Sequence, residues 1–201
     1  MYQVIGHPRT RTMRVYWMLE ELGQDYDVLI APAHSEAAKA ANPSGKIPAL
    51  NVGGKVLLDS VAILQFLADK HGALSYPSGT LERAEQDSFT QFCADEMDSV
   101  LWNATKHKAY YPEELRVPAA IAGAKYDFGR AMDTLAVRLG DKAFVMGDKI
   151  TVPDILIGHC ALWAKGAEFP LPDGPLAAYF ARLAKRPALQ RAREKSGYFT
   201  L

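Results

Sequence analysis

The chain has 201 residues with 23 basic and 23 acidic side chains, so its formal net charge at pH 7 is zero. A balanced charge excludes the strong positive field that draws proteins to nucleic acid or to an anionic membrane surface. The length is sufficient for one large domain or two small ones, with enough buried surface to fold without disulfide bonds. We therefore expect a globular protein with neither a nucleic-acid partner nor a membrane partner.

The cysteines and the N-terminal residues indicate where such a protein works. Cys93 and Cys160 are widely separated and form no CxxC or metal-ligand spacing, so neither a disulfide bond nor a metal site is predicted. The first residues lack the positively charged segment and long apolar core of a secretion signal. No apolar run approaches the roughly 20 residues that span a bilayer. These features predict a soluble protein of the cytoplasm.

Strand and helix patterns alternate over residues 1–75. The first helix places apolar side chains at helical spacing from Val15 to Leu22, and Gly53-Gly54 has the composition of a two-residue hairpin turn. The predicted strands are residues 2–6, 26–30, 49–52 and 55–58, and the other predicted helices are residues 35–41 and 60–71. The order βαβαββα predicts a thioredoxin-like α/β domain with helices on both faces of its sheet.

The strand pattern does not recur after a Pro- and Gly-containing linker at residues 72–80. An all-α domain is predicted for residues 83–201. Its helices are expected at residues 81–110, 118–139, from 151 onwards, 176–185 and 188–195. The helix that starts at Thr151 carries apolar or small residues almost all round, so it is predicted to be the buried centre of the domain. Thr151 and Asp154 have the spacing of a capping box, and we assign them a structural role rather than a catalytic one.

Two motifs suit the binding of a short, extended, anionic peptide. Pro48 follows Ile47 at the start of a predicted strand, where proline favours a sheet edge, a turn or a cis bond. A main chain exposed there can pair with a ligand's own amide, as an added strand does. Asp59 and Ser60 stand where a strand gives way to a helix, and helix-start N–H groups bind carboxylates. The alternatives are a simple turn proline, a solvated Lys46 and an Asp59 that only caps the helix.

These motifs resemble those of the cytosolic glutathione transferase family, of the phi-like or bacterial type, over nearly the whole length. The residues that carry the resemblance are Gly6 to Thr10, Leu19 to Gly23, Asn42 to Leu50, Asp59 to Gly72 and Gly147 to Asp154. The resemblance implies glutathione as co-substrate, no metal and a homodimer. It further implies that Ser60 takes the carboxylate of the γ-glutamyl end, with Asp59, Lys46, Ile47 and Pro48 as further contacts.

The loop between the first strand and the first helix is expected to activate the sulfur. A thiol with a pKa of about 8.5 is mostly protonated at neutral pH, and a hydroxyl that donates to the thiolate lowers this pKa. The resemblance implies serine as that donor, and this chain has Thr10 at that position, with Thr12 and Arg11 as alternatives. Thr10 or Thr12 can equally be no more than the helix cap. The loop has no cysteine, which argues against the mixed-disulfide chemistry of omega- and beta-like members.

The electrophile is expected to bind between the two domains, where Trp102, Tyr110 and Tyr111 are candidate lining residues, although aromatic residues at helical spacing are more often core. The predicted function is a glutathione transferase that directs the thiol at small hydrophobic electrophiles. The alternatives are a non-catalytic glutathione-binding or ligand-binding protein of the same fold, or a glutathione-dependent isomerase, dehalogenase or peroxidase.

Overall fold

The computed structural model describes residues 1–199, which divide into two compact units. The first unit is Met1–Pro77 together with the C-terminal segment that starts at Lys185, and the second is Ser78–Ala184. The sequence pattern predicts that the last helix is part of the all-α domain of residues 83–201. In the structure this helix packs on the first helix of the chain instead. Thr200 and Leu201, the end of that predicted domain, lie outside the described residues.

A four-stranded mixed sheet forms the centre of the first unit. Its strands are β1 (Tyr2–Gly6), β2 (Tyr26–Ile30), β3 (Ala49–Val52) and β4 (Lys55–Leu58), in the spatial order β2-β1-β3-β4. The helices between and after them are α1 (Thr12–Glu21), α2 (Glu36–Ala41) and α3 (Ser60–His71). β1 is parallel to β2 and antiparallel to β3, which forms a hairpin with β4. The predicted βαβαββα order and the thioredoxin-like fold are confirmed.

Local sequence explains where these elements end. Gly53 and Gly54 have φ values of 59° and 94°, a left-handed conformation that glycine adopts without steric cost and that a tight hairpin requires. The buried face of α1 is continuous from Thr12 to Leu19, because the helix contacts α3 on one side and the C-terminal helix on another. Burial on two sides explains why α1 lacks a wide polar face.

The second unit is all-α over its described residues, as predicted. Its helices are α4 (Leu81–Phe92), α5 (Ser99–Thr105), α6 (Pro118–Leu139), α7 (Val152–Gly166) and α8 (Pro175–Ala184). The helix predicted at residues 81–110 is interrupted by two π-helical segments, Cys93–Asp98 and Lys106–Tyr110, which the sequence pattern did not predict. Within residues 1–199, no helix has both the length and the apolar composition that crossing a membrane demands.

Asp154 lies at the centre of the second unit and has no solvent exposure. One of its carboxylate oxygens accepts hydrogen bonds from the Val145 N–H (3.0 Å) and the Tyr179 hydroxyl (2.8 Å). The other accepts from the N–H (2.8 Å) and hydroxyl (2.9 Å) of Thr151, which forms a capping box with Asp154 at the start of α7. Burial raises the pKa of the Asp154 carboxyl group, while the hydrogen bonds act in the opposite direction.

Candidate functional site

Three segments of the first unit meet at one edge of its sheet. Ile5, next to the end of β1, pairs with Ala49 at the start of β3, and Ala49 pairs with Leu58 at the end of β4. The loop after β1, the segment before β3 and the start of α3 therefore leave the sheet side by side. This edge brings together the segments that contain Thr10 and Ser60, which are 50 residues apart in the sequence.

Ile47 and Pro48 occupy the middle of this edge. The peptide bond between them is cis. Pro48 is buried, and the Ile47 side chain packs against the apolar cluster of Ile5, Ala31, Ala38 and Ala49. Within residues 1–199 the main chain of Ile47 makes no intramolecular hydrogen bond. Its N–H and C=O are therefore able to pair with a ligand, as an unpaired strand edge does.

The loop before Ile47 is held by its own side chains. The Asn42 amide donates to the carbonyl of Lys46 over 2.9 Å, and the Lys46 N–H donates to the Ser44 hydroxyl over 3.3 Å. Both main-chain groups of Lys46 are thus engaged within the loop, while its side chain is exposed. Asn42 and Ser44 fix the conformation of the residues that lead into the cis peptide.

Asp59 caps helix α3. Its carboxylate accepts hydrogen bonds from the N–H groups of Val61 (2.9 Å) and Ala62 (3.1 Å). Its φ of 68° is unusual for a residue with a side chain and is sustained only when the surroundings enforce it. The capping alternative for Asp59 thus has direct geometric support, and a contact of Asp59 with a ligand stays a prediction.

Ser60 is paired with a residue that the sequence analysis did not single out. The Arg14 guanidinium donates to the Ser60 hydroxyl oxygen over 3.2 Å, and the two residues are only 2% and 4% exposed. Among residues 1–199, Arg14 is the one buried basic side chain. The signal that could have identified it is a lone charge among the apolar residues Met13, Val15 and Trp17.

The loop after β1 has a closed hydrogen-bond pattern around Thr10. The Thr10 hydroxyl donates to the His7 carbonyl over 2.7 Å, and its oxygen lies 2.9 Å from that of Thr12 and 3.2 Å from the Thr12 N–H. A hydroxyl has a single proton, and here that of Thr10 is directed at His7. The same oxygen accepts from the start of α1, so Thr10 also acts as a cap.

The two alternatives to Thr10 have different environments. Thr12 has no solvent exposure, and a Cβ added to Gly6 would lie 2.2 Å from its hydroxyl oxygen. Thr12 is thus packed into the interior of the first unit. Arg11 is half-buried and occupies the N-cap position of α1, where its side chain does not cap the helix. Of the two hydroxyl candidates, Thr10 is the accessible one.

The predicted electrophile-binding residues lie in the second unit. The rings of Trp102 and Tyr110 meet edge to face at 5.0 Å, and Tyr111 contacts His107 in the same manner at 5.2 Å. Tyr110 is half exposed. A surface cavity of about 590 Å³ in this unit is lined by other residues, among them Phe92, Glu96 and Arg138. The assignment of the three aromatic residues to a substrate pocket stays a prediction.

The two cysteines are buried in the second unit as thiols without a disulfide bond, with their sulfur atoms 3.8 Å apart. Their separation in sequence gave no indication of this proximity. Over residues 1–199, His, Cys, Asp and Glu side chains form no group of three or more that could hold a metal ion.

Comparison with known proteins connects this geometry to a family. The family described as "Glutathione S-transferase, N-terminal domain" matches residues 10–70. Glutathione S-transferase theta-1 of Rattus norvegicus is 29% identical over an alignment of 158 positions that covers 74% of this chain and 65% of the rat protein. The matched region thus spans just under two thirds of that relative.

Two solved structures are similar over nearly the full length. A glutathione transferase from Methylococcus capsulatus str. bath has a TM-score of 0.87 at 26% identity, covering 98% of this chain and 100% of its own. The theta class glutathione S-transferase of Xanthomonas axonopodis pv. citri, solved with glutathione bound, has a TM-score of 0.76 at 27% identity, covering 95% and 96%.

Two of these three proteins are named as theta types, so the similarities do not confirm the phi-like type expected from the sequence. The family itself is consistent across the N-terminal match, the relative and both structures, and it fits the thioredoxin-like and all-α units. The chain is thus similar to cytosolic glutathione transferases in the N-terminal match, in the relative and in both structures.

Proposed function

We propose that this protein binds glutathione at the sheet edge of the first unit and activates its thiol for attack on a hydrophobic electrophile. The observation that supports the proposal is that β1 and β4 end, and β3 begins, at the same edge of the sheet, next to the segments that contain Thr10, Ile47 and Ser60. A bound tripeptide needs contacts to its main chain, to its terminal carboxylate and to its thiol. The segments of Ile47, Ser60 and Thr10 offer these three contacts in turn. The family match of residues 10–70 and the similar structure solved with glutathione bound support the same ligand.

The main chain and the acidic end of the tripeptide have distinct partners in this proposal. The free N–H and C=O of Ile47 pair with the central peptide groups, in the manner of an added strand. Ser60 donates to the γ-glutamyl carboxylate at the positive end of helix α3. Asp59 is close enough in sequence to meet the adjacent ammonium group, and the exposed Lys46 can meet a carboxylate of the ligand.

Thr10 is the proposed thiolate donor. Its hydroxyl now donates to a neutral carbonyl, and a rotation about χ1 would exchange that bond for a charge-assisted one, which is roughly twice as strong. A hydrogen bond to a charged group contributes about 1.5–3 kcal/mol. At about 1.4 kcal/mol per pKa unit, this lowers a thiol pKa of about 8.5 to near neutrality.

The proposed reaction needs little more than this thiolate. The sulfur attacks an electrophilic carbon, a C–S bond forms, and the leaving group departs with the bonding electron pair, while the thiol proton passes to solvent. Trp102, Tyr110 and Tyr111 are the proposed contacts of the hydrophobic substrate. A homodimer and a location in the cytoplasm complete the proposal.

Calorimetry and turnover test the proposal together. We expect glutathione to bind with a dissociation constant between micromolar and millimolar, and chlorodinitrobenzene to be converted to its glutathione thioether with release of chloride. An S-methyl glutathione control should bind but not react. Absence of binding heat would overturn the proposal.

A second candidate is a glutathione-binding protein without transferase activity. The observation that favours it is the engagement of the Thr10 hydroxyl proton by the His7 carbonyl. Retention on immobilised glutathione without turnover of any aromatic halide, epoxide or peroxide would select this candidate. Isomerase, dehalogenase and peroxidase activities begin with the same thiolate, so a substrate screen separates them from simple transfer.

A further inference from the structure

The pair formed by Arg14 and Ser60 connects α1 to the first residue of α3. Arg14 is 2% exposed and Ser60 is 4% exposed, and their side chains meet at 3.2 Å. Burying a guanidinium costs free energy unless its N–H groups are hydrogen-bonded and its positive charge interacts with a negative or polar group. The position of this charge behind the helix start needs a physical explanation.

The direction of the hydrogen bond supplies that explanation. A guanidinium has donors only, so the Ser60 oxygen must accept and its own proton must point elsewhere. Within residues 1–199 neither the hydroxyl proton nor the N–H of Ser60 has an intramolecular acceptor. The next helix-start donors, on Val61 and Ala62, are taken by Asp59. Among residues 1–199, Ser60 is therefore the helix-start residue whose hydroxyl proton and N–H are both available to a ligand.

We infer that Arg14 is a positioning residue: its buried guanidinium holds the Ser60 oxygen so that the hydroxyl proton faces a carboxylate bound at the start of α3. The inference rests on the proposed function, since the carboxylate is that of the γ-glutamyl group. The positive charge of Arg14 polarises the hydroxyl and adds to the field of the helix start. Arg14 acts through Ser60 and contacts no reacting atom.

The test compares wild type with Arg14→Met, using calorimetry and steady-state kinetics. The two ligands are glutathione and an analogue whose γ-glutamyl carboxylate is converted to an amide. We expect Arg14→Met to weaken glutathione binding about tenfold and to raise KM with little change in kcat. The amide analogue should bind wild type and Arg14→Met with the same affinity, because it lacks the negative charge of the γ-glutamyl carboxylate. Equal losses for both ligands would reveal a merely structural role and overturn the inference.

A matched control, a charge-preserving variant and a background that lacks the Ser60 hydroxyl make the result specific. Arg138→Met is the matched control, because Arg138 also donates to a serine hydroxyl, that of Ser88, over 2.9 Å, and it should leave glutathione affinity unchanged. Arg14→Lys keeps the charge and should restore at least half of the lost affinity on a logarithmic scale. In a Ser60→Ala background, Arg14→Lys and Arg14→Met should change the affinity less than twofold.

Folding and the proposed function are checked separately. If circular dichroism shows Arg14→Met unfolded, Arg14→Lys measured with and without Ser60→Ala decides, and an effect that persists without the Ser60 hydroxyl overturns the inference. If wild type binds glutathione but Arg14→Met binds it equally well, the inference alone fails. If wild type gives no binding heat, the proposed function fails and the inference fails with it.

Discussion

Arg186 and Glu21 form an ion pair that joins residues 165 positions apart in the chain. Arg186 directly precedes α9 (Pro187–Lys195), and Glu21 is the last residue of α1. A second guanidinium contact to the same carboxylate makes the pair bidentate, and the Trp17 indole donates to Glu21 over 2.8 Å. The Glu21 side chain is only 7% exposed, so the C-terminal helix is fixed to the helix that follows the Thr10 loop.

Replacement of Arg186 by methionine should destabilise the first unit by about 3 kcal/mol, because it leaves the buried Glu21 carboxylate without its cation. Urea unfolding followed by circular dichroism measures this loss. The matched control is Arg191→Met, since Arg191 pairs with Glu20 at a side-chain exposure of 53%. That exposed pair should contribute less than about 1 kcal/mol. Equal effects of the two variants would contradict the role of burial.

Removal of the Thr10 hydroxyl should raise the pKa of the thiol group of bound glutathione. In Thr10→Ala, kcat/KM is expected to fall roughly 10- to 100-fold, which corresponds to the loss of one hydrogen bond to a charged group. Thr10→Ser keeps the hydroxyl and frees χ1 rotation, so it should retain at least the wild-type rate. Thiolate absorbance against pH gives the pKa directly.

The matched control for Thr10→Ala is Thr90→Ala. Thr90 also donates its hydroxyl to a main-chain carbonyl, that of Gln86, over 3.1 Å, but it lies in the second unit. This variant should leave the pKa of the bound thiol unchanged. A Thr10→Ala protein with an unaltered thiol pKa would instead show that Thr10 only caps α1.

The two roles of Asp59 can be separated by Asp59→Asn. Asparagine caps helices as well as aspartate and tolerates positive φ, so the free energy of unfolding should change by less than about 0.5 kcal/mol. If the carboxylate meets the ammonium group of glutathione, the affinity should nonetheless fall about tenfold. Thr80→Ala is the control, because Thr80 belongs to the second unit and its replacement removes the cap of α4 at a cost of about 1 kcal/mol. Unchanged affinity in Asp59→Asn would leave Asp59 a cap only.

Much of the first unit follows from local sequence patterns. Gly53-Gly54 determines the hairpin and thereby the register of β3 with β4, which brings Ile47 and Ser60 to the same edge. The strands at Tyr26–Ile30, Ala49–Val52 and Lys55–Leu58 have the predicted bounds, because each lies between turn residues that end it unambiguously. The site residues that lie in such local motifs, Ile47, Pro48, Asp59 and Ser60, could therefore be predicted from the sequence.

What the sequence did not reveal depends on long-range pairing. The lone charge of Arg14 among apolar residues did not by itself establish its burial, since that burial comes from the packing of α1 between α3 and α9. The place of α9 depends on Arg186 and Arg191 meeting Glu21 and Glu20 across more than 160 residues. The hydrogen bond from the Thr10 hydroxyl to the His7 carbonyl depends on the conformation of the loop after β1, which the sequence pattern does not predict.

The free energy of unfolding of the second unit should depend strongly on Asp154. Alanine at this position leaves the N–H of Val145, the N–H of Thr151 and the hydroxyl of Tyr179 buried without an acceptor. At about 1–3 kcal/mol for each unsatisfied group, partly relieved by relaxation, the expected loss is about 3–5 kcal/mol. Urea unfolding monitored by tryptophan fluorescence measures it. Asp133→Ala, an exposed aspartate on α6, is the matched control and should change the free energy of unfolding by less than about 0.5 kcal/mol. A loss below 1 kcal/mol in Asp154→Ala would mean that water replaces the carboxylate, and Thr151→Ala would then be expected to have almost no effect.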